Sequence, residues 1–117
     1  MSYMLLIAEQ HGQREERGLV EGQKVYAQMQ RFAEVLKARG VLLGVESLAN
    51  DARGVRVQVR GGRQHLVDGP FTEAKEMIGG FFLLDVATRE QAIAIAAECP
   101  AAAWATVEVR ETGPCWA

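Results

Sequence analysis

Three side chains stand out as able to work together on a small polar molecule: two carboxylates, Asp68 and Glu46, and one cation, Lys75. Asp68 opens the stretch Asp68-Gly69-Pro70-Phe71-Thr72-Glu73-Ala74-Lys75-Glu76, which sets a rigid turn and a charge cluster ahead of the most apolar run in the chain. A carboxyl buried near Phe71 and Phe81 would lose the hydration of its charged form. Its pKa would rise, and it could then serve as general acid or base. The competing account has Asp68 accept backbone N–H bonds across the turn. Lys75 and Glu76 could clamp an anionic substrate, or Lys75 could order the turn by pairing with Glu73, Glu76 or Asp68. Glu46 lies in an otherwise apolar strand, on the face of Gly44 and Leu48. There it would either point into a cavity beside the first helix, with Tyr26 and Met29 as a phenol and a soft wall, or sit wet at a sheet end. Asp68 and Glu46 are thus the catalytic candidates, and Lys75, Tyr26 and Met29 the ligand-binding ones.

Other reactive residue types are less promising. His65 alternates with Leu66 and faces outward on a hairpin, and His11 sits in a charged loop, so both read as surface residues. No Cys/His cluster has zinc spacing, so no metal is expected. Cys99, before Pro100, reads as a helix-end packing residue, and Cys115 lies in a tail. Arg53, Arg56, Arg60 and Arg63 form the one basic patch, which reads as a solvated strand face. Without a metal or cofactor site, the chemistry these groups support is a cofactor-free proton transfer.

The elements that must hold these residues follow from pattern. Tyr3 to Ala8 is a short apolar strand and Glu9 to Gly18 a polar loop. Val25, Met29, Phe32 and Leu36 recur on one face of a helix over Val20 to Arg39, with Gly40 as its C-cap residue. Val41 to Leu48 is a strand, and Val55 to Arg60 alternates as a half-buried strand. Gly61-Gly62 turns the chain back along Arg63 to Val67. Thr72 to Glu76 has the composition of a helical turn that Gly79-Gly80 ends, and Phe81 to Val86 reads as a buried central strand. Thr88 and Gln91 predict a capping box on a second helix that Pro100 stops, and Ala105 to Arg110 is the last strand.

At 117 residues the chain fits one domain, spanning 1–117. Its order, less the hairpin, is βαββαβ: a ferredoxin-like α+β sandwich with a β-hairpin insert. Two helices on one sheet face leave the other bare, and a second copy is its simplest cover, which predicts a homodimer through the sheet faces. A formal net charge of −2 and the lack of a recognition helix argue against nucleic acid as a partner. No apolar run approaches a membrane span, and the N-terminus reads as a strand, not a signal peptide. With two cysteines and no disulfide framework, a cytoplasmic setting is expected.

The chain resembles the YCII-related family in its DGPF-motif branch. The resemblance rests on Tyr3-Met4-Leu5-Leu6-Ile7, the Asp68 to Glu76 motif, Gly79-Gly80-Phe81-Phe82-Leu83 and Val107-Glu108-Val109-Arg110, and it spans roughly the whole chain. It implies a dimeric α+β barrel and does not imply a reaction. Other members are said to carry a first-helix histidine paired with an aspartate as a catalytic dyad. Val20 to Arg39 contains no histidine, so that mechanism does not carry over directly. A dimeric metabolite-sensing or protein-interaction module is the alternative to an enzyme.

Overall fold

A computed structural model describes residues 2–117. Its strands are β1 (Tyr3–Gln10), β2 (Leu42–Ser47), β3 (Val55–Arg60), β4 (Arg63–Asp68), β5 (Glu76–Leu84) and β6 (Thr106–Glu111). Its helices are α1 (Gln13–Ala38) and α2 (Arg89–Glu98), with 3-10 turns at Asp51–Arg53 and Pro100–Ala103. One antiparallel sheet has the order β2-β5-β1-β6, and β3-β4 pair separately. With β3-β4 set aside, that order and the two helices fit a ferredoxin-like α+β fold.

Alternation in β1 decides the layers. Tyr3, Leu5 and Ile7 are buried with Phe82 and Leu84 under the helices, where Phe32 and Leu36 of α1 and Ala92, Ile95 and Ala96 of α2 close the core. The Phe32 and Phe82 rings meet edge to face at 5.3 Å. Register places Met4, Leu6, Phe81 and Leu83 on the opposite face, half-buried and outside the core cluster. The predicted capping box is present: Thr88 Oγ1 accepts from Gln91 N–H while Gln91 Oε1 accepts from Thr88 N–H.

Three local expectations are corrected. Glu9 to Gly18 is not a loop: β1 runs on to Gln10 and α1 begins at Gln13. The turn between them is short because Gly12 takes a positive φ of 85°. Thr72 to Glu76 is not a helical turn but an irregular turn leading straight into β5. Pairing with β1 extends β5 back to Glu76, with a register shift opposite Ile7/Ala8. Gly79-Gly80 thus lies inside a strand. The β3–β4 hairpin turns on Gly61 and Gly62, both at positive φ as a type I′ turn requires. Every residue of its two strands is exposed. It therefore stands off the body, and the radius of gyration is 16.0 Å, against about 13 Å for a compact chain of this length.

Candidate functional site

Helix α1 packs on the sheet only through its C-terminal half. Phe32 and Leu36 are its buried residues and Met29 is partly buried against the same core, whereas Val25, one turn earlier on that apolar face, lies outside the core. The helix is broken at Gly18, with φ 78° and ψ 174°. The lifted half and the sheet enclose a cleft of about 1070 Å³, walled by Ile7, Val25, Met29, Ala33, Val45 and Phe82. That is slightly above the roughly 300–1,000 Å³ of small-molecule sites, as suits a cleft open on one side.

One corner of this cleft is charged. Glu9 follows Tyr3, Leu5 and Ile7 on the inward face of β1 and is only 3 % exposed. Arg14, in the first turn of α1, donates to it twice, Nε to Oε1 at 2.6 Å and Nη2 to Oε2 at 3.2 Å. Two parallel charge-assisted bonds are what a buried carboxylate needs. Gly79 makes the room, since a Cβ there would lie 1.9 Å from Glu9 Oε2. Beside them the Arg17 guanidinium lies over the Trp104 ring, 4.4 Å from its centroid. Arg17 has no carboxylate partner among the described residues.

A second cluster lies behind this corner. His11 Nε2 and Asp51 Oδ2 are 2.5 Å apart, both side chains mostly covered. A histidine–aspartate pair thus exists, built from the turn before α1, and the expectation of a solvated His11 is corrected. Its hydrogen bond to Asp51, the charge of Asp51 and the carbonyls of Ala74 and Lys75 raise the His11 pKa above 6.5, against some desolvation. The same bond, with the Phe71 N–H and the charges of His11 and Arg56, lowers Asp51 below 3.8. Neither residue lines the cleft. The pair acts as a clamp: the His11 N–H donates to Lys75 O and the Phe71 N–H to Asp51 Oδ2. It thereby ties the start of α1 to the Asp51 turn and to the stretch before β5.

The sign of its pH dependence follows. The raised pKa of His11 stabilises the fold below the unfolded value and is lost as pH rises through the folded one. The lowered pKa of Asp51 stabilises above its unfolded value and is lost as pH falls through the folded one. The clamp is strongest between the two. The stability gap between wild type and His11→Gln, from urea melts across pH, should therefore narrow as pH climbs past the His11 pKa. A gap that stays constant with pH, or an NMR titration placing His11 at or below 6.5, would contradict this.

The residues expected to carry chemistry are dispersed. Tyr26, Met29 and Glu46 border the cleft, but Asp68 and Lys75 do not. Glu46 pairs in register with Phe81, whose other neighbour is Leu6, so it shares the sheet face turned away from α1. Asp68 ends β4, exposed and opposite Val55, and the turn-bonding role expected of it belongs to Asp51. Lys75 is exposed and contributes its carbonyl, while Glu73 pairs with Arg56 at 2.6 Å. Sequence reasoning missed Glu9, Arg14, Arg17 and Asp51. The available signal was Glu9 at the next inward position after Ile7, with a cation five residues on.

Among the described residues no group of three or more His, Cys, Asp or Glu could hold a metal ion, and no helix is long and apolar enough to cross a membrane. A comparison with curated proteins gives no match. The model of the YCII-related domain matches residues 1–114, nearly the entire chain, and the protein belongs to the YCII-related family.

Proposed function

We propose that the protein binds a small carboxylic acid with an apolar body in the cleft between α1 and the sheet. One observation carries this reading: at one end of an apolar-walled cavity Arg17 lies over Trp104 without an ion-pair partner among the described residues, beside the Glu9–Arg14 pair, while the carboxylates Glu15 and Glu46 border the cleft elsewhere. The acid group of the ligand would complete that corner while Met29, Val45 and Phe82 cover its body. Binding is favoured over cofactor-free proton transfer because Asp68 is remote from the cleft, which leaves Glu46, a border residue that register sets on the other sheet face, without its expected partner. The metabolite-sensing module is thus the better of the two readings.

Calorimetric titration with pairs of small aromatic or branched acids and their amides tests it. An acid should bind, its amide should bind more weakly, and Arg17→Ala should weaken the acid by roughly tenfold, the worth of one charge-assisted hydrogen bond. Equal affinity for acid and amide, or an unchanged constant in Arg17→Ala, would sink the reading.

The same proposal has the protein act as a cytoplasmic homodimer, a dimeric α+β barrel of the DGPF-motif branch with β3–β4 as its insert. The half-buried Met4, Leu6, Phe81 and Leu83 support the dimer, since the apolar centre of that sheet face, edged by Glu46, Glu108 and Arg110, calls for a cover. The Asp68 to Glu76 motif supports the branch.

A further inference from the structure

We propose that the ligand of this cleft is an amino acid whose ammonium group stands several bonds away from its carboxylate, an inference that rests on the carboxylic-acid reading above. The charges bordering the cleft lead to it. The cations are Arg14 and Arg17, and the carboxylates are Glu9, Glu15 and Glu46. Arg14 and Glu9 satisfy each other, which leaves one cation against two carboxylates. A ligand with an acid group alone would pair with Arg17 and set a third negative charge beside Glu15 and Glu46. A ligand that also carries an ammonium answers both signs.

The fold decides where each charge stands. The order β2-β5-β1-β6 puts β2 and β6 at opposite sheet edges, three strand spacings or about 14 Å apart. Arg17 lies over Trp104, two residues before β6. Glu15 is held toward the other edge. Its Oε1 accepts from Asn50 Nδ2 at 3.0 Å, and Asn50 follows β2 closely. Leu48 and Ala49, between β2 and Asn50, border the cleft on that side. Glu15 and Arg17 both belong to the helical turn ahead of the Gly18 break. Residues two apart are about 200° apart around a helix, so the two side chains point to opposite sides.

Glu15 is the better of the two carboxylates for the ammonium. It pairs with no cation among the described residues, whereas register turns Glu46 to the far sheet face. Between the edges the walls are Met29, Val45 and Phe82, which suit an apolar spacer. An α-amino acid carries its ammonium on the carbon next to its carboxylate, and so reaches one edge only.

Calorimetric titration of the full chain with matched aromatic acids tests this. Wild type should bind para-aminomethylphenylacetic acid roughly tenfold more tightly than para-ethylphenylacetic acid, the isostere without an ammonium. Phenylalanine, an isomer of the first ligand with the ammonium beside the carboxylate, should bind no more tightly than the ethyl compound. Glu15→Gln should bring the aminomethyl and ethyl acids to within about twofold of each other. Circular dichroism should show an unchanged fold, since Glu15 is exposed and glutamine keeps an acceptor for Asn50. Equal affinity for the aminomethyl and ethyl acids in wild type, an advantage that survives Glu15→Gln, or an equal advantage for phenylalanine overturns the inference and leaves the carboxylic-acid reading standing. Wild type that binds none of these acids overturns both.

Discussion

Arg14→Ala is expected to lower the free energy of unfolding by about 3 kcal/mol, a large loss for a residue that keeps part of its side chain in water. The cost lies with the residue left behind. Glu9 is 3 % exposed, and both of its oxygens are held by Arg14. Without the guanidinium a carboxylate is left in an apolar wall beside Ile7 and Gly79. Replacing the two together, Glu9→Leu with Arg14→Leu, removes the stranded charge and should return stability to within about 1 kcal/mol of wild type. The double variant keeps Arg17 over Trp104, the cation left for the ligand's acid group, and should still bind carboxylic acids. Urea melts of the two variants check the stability half of this. An Arg14→Ala protein within about 0.5 kcal/mol of wild type would mean that the pair is a surface contact and not a buried one.

Gly69→Ala is expected to cost about 3 kcal/mol, at the upper end for one added methyl group. A Cβ at Gly69 would lie 1.8 Å from the Asp51 carbonyl oxygen and 2.8 Å from its carbon. Both are backbone atoms, so relief requires moving the whole Asp51–Arg53 turn. That movement would also break Gly69 N–H to Gly54 O, Phe71 N–H to Asp51 Oδ2 and the His11–Asp51 pair. Two readouts should therefore change together: the melt, and the His11 pKa, which should fall back toward 6.5 as its partner leaves. Gly113→Ala, with nothing within 4 Å of its Cβ, is the matched control and should be silent within about 0.5 kcal/mol. An intact His11 pKa in a destabilised Gly69→Ala protein would show that the motif does not support the clamp.

The Asp68 to Glu76 motif reads in sequence as a site, because it gathers charges beside an apolar strand. In the structure it is a support. Gly69 permits the close approach of the Asp51 turn, Phe71 caps Asp51, and the carbonyls of Ala74 and Lys75 face His11. What the sequence made legible was periodic: the inward face of β1, the Phe32 and Leu36 face of α1, the capping box at Thr88 and the Gly61-Gly62 turn all follow from local pattern. What it hid was non-local. Glu9 meets Gly79 only through the β1–β5 register, and His11 meets Asp51 across forty residues. No single-chain pattern records either approach. The cleft was half legible, since Tyr26 and Met29 were placed beside it. The helix break at Gly18 that opens it left no periodic trace.

The most direct test of the binding site is a ¹H–¹⁵N titration of the wild-type protein with a small aromatic carboxylic acid, followed at the Trp104 indole, the Arg14 and Arg17 Nε–H groups and the Gly79 and Gly80 amides. Saturable shifts confined to those signals, absent with the corresponding amide, are the predicted result. Shifts confined to the arginines of the β3–β4 hairpin, or no saturable shift at the Arg17–Trp104 corner with any acid tried, would contradict it.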